Sequence, residues 1–396
     1  MSSTPRYAAF AITAPGLEGF AAAELERLGV RDAEVVAGGV MFNASRQLLY
    51  AANLHLRTAS RVIVRVGDFA AKTFHELERR TSKLPWDAFV SPNLGLALRV
   101  TCRKSRLYHS DAVAERVAQS ITARIRDVRV VGDSGEEVDE AVRPEQLVVV
   151  RLFHDRCTVS VDSSGALLHL RGYRQAVGRA PLRETLAAAA LIASEWRSDA
   201  PLLDPMCGSG TIPIEAALIA RQIPPGLHRR FAFMHWPDFD ESMWRGLVTD
   251  AESAAIARAP APILGSDRDA GAIESARANA ERAGVTHDVR FDQRAISSIE
   301  SPEGRGWVVT NPPYGVRVGE RDRLRNLYAQ FGKVLRAKCD GWHVGLLSAA
   351  PELERQVGVS FDVAARTVNG GIPVRIVTGV VSRHEATRGR TAQPTG

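Results

Sequence analysis

Along the first part of the chain the apolar positions alternate between two spacings. Residues 7–13 read as a short strand, residues 17–28, rich in Ala, Glu and Leu, as a helix, and residues 39–43, at Gly38-Gly39, as a second strand. A helix over 46–56 and a strand over 61–66 follow, so residues 1–69 predict a small α+β unit. The same style repeats over 70–164: a strand at 94–102, a helix at 110–126, and a hairpin of alternating residues from 147–152 and 157–161. The acidic run 133–140 between them reads as a solvated loop. From residue 171 the pattern changes to Ala-rich helices separated by short apolar strands at 201–204, 263–267, 289–291, 307–310, 344–348 and 374–381, several ending in Asp, Asn or Ser. Strands alternating with helices predict a parallel sheet with helices on both faces, over 170–385. The chain turns polar from Arg383, and residues 386–396 read as a disordered tail.

Composition narrows this picture only a little. A chain of 396 residues is too long for one typical domain, while 45% hydrophobic and 24% charged residues are ordinary globular values. The net charge of +6 favours polyanionic partners weakly. Cys102, Cys157, Cys207 and Cys339 lie far apart, form no CxxC pair and show no metal-ligand spacing with histidine, which predicts reduced thiols and no metal. No apolar leader and no stretch of about 18 apolar residues is present, so a cytoplasmic enzyme away from membranes is expected. Oligomeric state is not legible.

The strongest local signal is Leu202-Leu203-Asp204-Pro205-Met206-Cys207-Gly208-Ser209-Gly210-Thr211, followed by an amphipathic helix over 212–221. Strand, glycine turn and helix make a nucleotide-type site, because Gly208 and Gly210 let backbone approach a ligand and the helix start offers free N–H donors. The lysine of a Walker loop is absent, which argues against nucleotide hydrolysis. A dinucleotide fold wants a third small residue where Pro213 stands, and an acid about 20 residues on. An adenosine ligand without pyrophosphate fits better, since Asp204 adds negative charge where phosphates would sit and a sulfonium tolerates it. Asp267, ending the strand 263–267, is placed to accept both ribose hydroxyls; its other reading is an N-cap for the helix over 268–283, a task Asp269 can perform instead.

The second signal is Asn311-Pro312-Pro313-Tyr314-Gly315, directly after the apolar strand 307–310. The prolines stiffen the turn and remove two donors. The Asn311 side-chain oxygen and the Pro312 carbonyl remain as two acceptors, matching the two donors of a planar NH2 group. Hydrogen bonds to both amino protons would aim the nitrogen lone pair at an electrophilic methyl, and Tyr314 can stack on a base lifted out of its helix.

Taken in order, Asp204 to Gly210, Asp267, and Asn311 to Tyr314 resemble the class I methyltransferase fold of the amino-methylating type. The resemblance implies S-adenosylmethionine bound through Asp204, Met206, Cys207, Gly208, Ser209, Gly210, Thr211, Asp267 and Arg268, with the acceptor amine held at Asn311, Pro312 and Tyr314 as the catalytic set. After the third strand, where the family often carries an acid near the adenine, the chain reads Phe291-Asp292-Gln293-Arg294-Ala295, and Asp292 is the nearest substitute. Carbon-5 pyrimidine methyltransferases carry a cysteine nucleophile near the acceptor motif; here that place holds Pro-Pro-Tyr, so Cys207 reads as packing in the cofactor loop.

The amine motif alone does not choose among adenine N6, guanine N2, cytosine N4 and a protein glutamine amide. Residues 99–129 are rich in arginine, a basic face suited to phosphates. Arg103-Lys104-Ser105 with Tyr108-His109-Ser110 resembles the THUMP domain, an RNA-binding module, and implies RNA contacts at Arg103, Lys104 and Arg106. The preceding unit, with Gly38-Gly39-Val40 and Arg57-Thr58-Ala59-Ser60-Arg61, resembles the ferredoxin-like segment that accompanies it. Arg171-Gly172-Tyr173-Arg174, Ala180-Pro181-Leu182-Arg183-Glu184 and Pro225-Gly226-Leu227-His228-Arg229 extend the likeness, to about Val381, to bacterial 23S rRNA guanine-N2 methyltransferases and their tRNA-modifying relatives. The expected enzyme methylates guanine N2 in RNA, rRNA before tRNA, with a protein glutamine methyltransferase as the rival. Arg317 is a further candidate for a phosphate or the base, and the aromatic residues of the stretch 222–260 are expected to form its private core.

Overall fold

The computed structural model describes residues 6–132, 145–175, 182–314 and 321–383. The chain divides into two compact units. The first takes in residues up to Thr13, Ala21–Leu170 and Pro225–Asp250; the second takes in Ala14–Phe20, Arg171–Pro224 and the chain from Ala251.

The first unit is built on strands β1 (Arg6–Thr13), β2 (Glu34–Val36), β3 (Gly39–Ser45), β4 (Ala59–Ala70), β5 (Gly95–Arg103), β6 (Arg129–Val130), β7 (Gln146–Phe153) and β8 (Arg156–Asp162). They form one sheet in the order β2-β3-β1-β4-β8-β7-β5-β6. Strand β4 is long enough to pair with β1 along one part and β8 along another, which joins the two α+β stretches of the sequence in a single sheet. Ser45 starts helix α2 (Arg46–His55) by accepting the Leu48 N–H, and Thr73 starts α3 (Phe74–Thr81) by accepting that of Glu76. Helix α4 (Ser110–Thr122) is the crossover that lets β5 and β7 run parallel. The β7–β8 hairpin turns through His154 and Asp155, both at positive φ (51° and 60°), the geometry that two-residue hairpin loops adopt.

One expectation is corrected here. The aromatic residues of the stretch 222–260 do not form a core of their own. Phe233 stacks on Tyr50 of α2 at 4.2 Å, Trp236 meets Phe89 edge-on at 4.9 Å, and the Trp236 Nε1 donates to Gln146. Helix α7 (Glu241–Ala254) buries only Ala251, so the stretch lacks enough apolar surface to enclose its own rings. They are absorbed into the core of the first unit.

In the second unit, strands β9 (Leu202–Asp204), β10 (Ile263–Asp267), β11 (Val289–Gln293), β12 (Trp307–Thr310), β13 (His343–Ser348), β14 (Asp362–Asn369) and β15 (Ile372–Val380) form a sheet ordered β11-β10-β9-β12-β13-β15-β14. Helices α5 (Glu184–Ala193), α6 (Thr211–Ala220) and α8 (Ala270–Arg282) cover one face; α9 (Arg321–Lys338) and α10 (Pro351–Val357) cover the other. The expected parallel sheet holds for β11 to β13 only, because β15 is antiparallel to both its neighbours. Gly370 and Gly371, at φ 55° and 81°, close a two-residue turn between β14 and β15, and so short a link cannot make a parallel crossover. The expected tail 386–396, the acidic loop 133–140, Gly315 and Arg317 lie outside the described residues.

Candidate active site

Strands β9 and β12 are neighbours in the middle of the sheet, and both end at the same edge. This placement brings the glycine loop and the Asn-Pro-Pro-Tyr turn together. A hydrogen bond ties them: the Thr310 hydroxyl donates to Asp204 Oδ1 at 2.6 Å, and the same oxygen accepts the Met206 N–H at 3.2 Å. Asp204 is wholly buried, and burial pushes its carboxyl to about 7. Its Oδ1 therefore faces β12.

The loop itself is closed by backbone bonds. Cys207 N–H donates to Ser266 O, and Gly210 N–H to Cys207 O. Gly210 sits at φ 84°, and a Cβ there would meet the Phe291 ring at 2.8 Å, so only glycine fits. Gly208, at φ 52°, would meet nothing within 4 Å, which leaves open space on its outer side. Helix α6 starts at Thr211 with no side-chain cap, so its first-turn N–H groups are available to a ligand. The side chain of Ser209 takes no part in this closure; the Ser209 carbonyl accepts Asn279 Nδ2 at 3.0 Å. Cys207 packs in the core with its thiol pushed well above the usual range by burial, a state that suits packing and not nucleophilic attack.

Asp269, not Asp267, caps helix α8, accepting the N–H groups of Gly271 and Ala272. Asp267 is thereby free of that task. Each of its oxygens accepts one backbone N–H, from Gly208 at 3.1 Å and from Asp269 at 3.0 Å, and each keeps lone-pair capacity for a further donor. The Arg268 side chain is exposed beside it. Asp292 lies between two guanidinium groups, Arg290 Nε at 3.0 Å and Arg294 Nε at 3.6 Å. The Ser266 hydroxyl is buried without a partner among the described residues, a donor pointing at nothing in the protein itself.

At the acceptor turn Pro312 is buried and Asn311 half-buried. Asn311 Oδ1 is buried and has no hydrogen-bond partner among the described residues. The Tyr314 ring packs against the core, and its hydroxyl accepts Asn369 Nδ2 at 2.7 Å from the end of β14. Thr310, Ser266 and Asn369 are contributors that the sequence reading missed. Asn369 had a usable signal, the Asn-Gly-Gly of a tight turn.

Behind the loop, the Arg171-Gly172-Tyr173-Arg174 motif proves to be a buried network. The Tyr173 hydroxyl donates to Glu215 of α6 at 3.1 Å, and Arg174 pairs with Glu184 of α5 at 3.1 Å. It anchors the helix that carries the glycine loop.

In the first unit, Arg103, Lys104 and Arg106 are all exposed, whereas two arginines farther along are paired: Arg116 of helix α4 with Glu78 at 2.9 Å, and Arg124, just past the end of that helix, with Asp87 through Nε at 2.6 Å.

Family models match the chain in order: an RlmL ferredoxin-like domain over residues 8–63, a THUMP domain over 71–162, and an RMKL-like methyltransferase domain over 171–376. The chain belongs to the RMKL-like methyltransferase family. A Synechocystis sp. relative, named as a candidate RNA methyltransferase, is 35% identical over 369 residues, 93% of this chain and 95% of its own. A crystallised candidate methyltransferase complexed with SAH is 29% identical, with TM-score 0.84 over 94% of this chain and 98% of that one. A Listeria monocytogenes structure, assigned as an N6-adenine-specific DNA methylase, is 32% identical with TM-score 0.82 over 94% and 96%. The second unit is thus the Rossmann-like, class I methyltransferase domain of an RMKL-like enzyme, and its methyl donor is S-adenosylmethionine. The residues fit that donor: the space beside Gly208, the uncapped start of α6, the unfilled capacity of Asp267 and the unpartnered Ser266 hydroxyl lie on or beside one loop. Among the described residues no group of His, Cys, Asp or Glu side chains could hold a metal ion, and no helix is long and apolar enough to cross a membrane.

Proposed function

We propose that this RMKL-like enzyme transfers a methyl group to the exocyclic N2 of guanine in RNA, with 23S rRNA the preferred substrate, tRNA the second, and the cytoplasm the place of work. The observation that carries the reading is Asn311 Oδ1, an oxygen taken out of water with nothing to accept from among the described residues. A buried unpaired carbonyl costs about 1–3 kcal/mol, a cost removed when an amino group arrives. Bound S-adenosylmethionine supplies an electrophilic sulfonium methyl. Asp267 would hold the ribose hydroxyls, and Gly208, Ser209, Gly210 and Thr211 would line the donor with backbone. Asn311 Oδ1 and the Pro312 carbonyl would accept the two amino protons, which fixes the nitrogen and turns its lone pair out of the ring plane. Tyr314, held by Asn369, would stack on the base. Positioning would be sufficient: the nitrogen would bond the methyl carbon as its bond to sulfur breaks, leaving a neutral thioether, and the surplus amino proton would leave afterwards, so no side chain has to remove it beforehand.

RNA as substrate is supported by the THUMP match over 71–162 and by the name of the Synechocystis relative. Guanine N2 is supported by the likeness of the motifs to the 23S rRNA enzymes. The Listeria protein's name points instead to adenine, and the acceptor pair alone accommodates either amine. The test is incubation with methyl-labelled S-adenosylmethionine and separate pools of rRNA, tRNA, DNA and translation factors, followed by digestion and mass spectrometry. Label in N2-methylguanosine from 23S rRNA is the expected result; label in adenine, in DNA or in a glutamine side chain overturns the assignment.

A further inference from the structure

Beyond the residues implied by the THUMP likeness, the first unit carries an aromatic side chain set in an arginine-rich sheet face. Residues directly opposite each other on neighbouring strands lie on the same face. Arg103 of β5 stands opposite Phe153 of β7, which stands opposite Arg156 of β8. The next row along is Thr101, Arg151 and Thr158. The opposite face of these strands is the core, with Val150, Leu152, Cys157 and Val159 fully buried. On the outer face Phe153 keeps 42% of its surface in solvent, and the Arg151 guanidinium lies 5.8 Å from its ring centre. The acid on these rows is Asp68, already bonded to Arg156 Nε at 2.6 Å. Asp155, in the turn, bonds the Arg106 backbone and so fastens the Arg103 to Arg106 loop beside Phe153.

We infer that this face is a stacking platform for unpaired RNA, a deepening of the substrate reading above on which it rests. Leaving a phenyl ring exposed on a rigid sheet is unfavourable in water, and stacking under a base lowers its free energy. A base within a duplex already has both faces covered, so the ring selects nucleotides that are single-stranded. The arginines around it supply phosphate contacts without reading sequence. An acidic protein segment would satisfy the arginines but leave the ring without a planar partner.

The full-length chain is titrated against a fluorescein-labelled oligouridylate of about twelve nucleotides, its duplex with oligoadenylate, and a polyglutamate peptide of similar length, read by anisotropy. The oligouridylate should bind more tightly than either of the others. Phe153→Ala should weaken it about tenfold and Phe153→Tyr should restore it. Arg151→Ala should flatten the salt dependence by about 0.7 in the log–log slope. The variants should melt as the parent does, since the ring is exposed. Unchanged binding by Phe153→Ala, or tighter binding of duplex or polyglutamate, overturns the platform. Methyl transfer by the parent enzyme to total RNA is measured in parallel. If no RNA is methylated while Phe153→Ala still loses the oligonucleotide, the platform stands and the substrate reading falls; if RNA is methylated and Phe153→Ala binds normally, the platform alone falls.

Discussion

The two loops that meet at the end of β9 and β12 are finished to different degrees. The glycine loop is locked by its own backbone bonds, by the Phe291 ring packed against Gly210, and by the Asp204–Thr310 bond. The proline turn next to it is stiff but incomplete, with Asn311 Oδ1 buried and without a partner among the described residues. The difference separates two kinds of task. On the proposed reading, the donor side would bind the same molecule in every cycle and gain from being preformed, whereas the acceptor side would discriminate, because only a ligand with a matching donor relieves an unmet hydrogen bond.

Breaking the acceptor side should have the largest effect. Asn311→Ala is expected to lower kcat by about 100- to 1,000-fold while the cofactor Kd, measured by calorimetry, stays within about twofold. Normal turnover would show that the buried oxygen does not hold the amine. Breaking the donor side should separate the two tasks in the other direction: Asp267→Ala should weaken cofactor binding by about 10- to 100-fold, the worth of one or two charge-assisted bonds. An unchanged affinity would remove Asp267 from the ribose.

The tie between the loops has a pH signature. Asp204 ordinarily titrates near 3.8, and burial raises it to about 7 in the fold. The folded protein thus holds that proton more tightly than the unfolded chain does. Its contribution is complete below about 3.8, is lost as pH rises towards about 7, and is constant above. Asp204→Asn, which stays neutral and can still accept from Thr310, should melt several degrees above the parent at about pH 8 and draw level with it near pH 4. Parallel melting curves over that range would show that burial does not govern Asp204. The smallest effect should come from Asn369→Ala: about a fivefold rise in KM for RNA with kcat little changed, the worth of about one hydrogen bond to Tyr314.

Local pattern was enough wherever an element carries its own apolar run or capping residue. The strands at 263–267 and 307–310 occur where alternation and strand-end residues place them, and Asp269 takes the cap role that its position before α8 allows. What escaped either carried a weak apolar pattern or was set by distant contacts. Strand β14 buries Ala365, Thr367 and Asn369, two of them polar, so it carries too little hydrophobic signal to announce itself. The direction of the Asp204 side chain depends on Thr310, 106 residues away, and no local rule orients it. The aromatic run from Phe231 to Trp244 does cluster in space, but Tyr50 and Phe89, far away in sequence, pack into it, and no local pattern announces them.

That last placement limits how the gene can be divided. A cut after Leu170 would give a fragment that keeps Tyr50, Phe89 and Gln146 but lacks Phe233 and Trp236, which pack and bond against them. The amino-terminal piece would open a greasy hole, and the carboxyl-terminal piece would carry a sticky aromatic strap with nowhere to go. Truncation at that junction is therefore expected to destabilise both pieces.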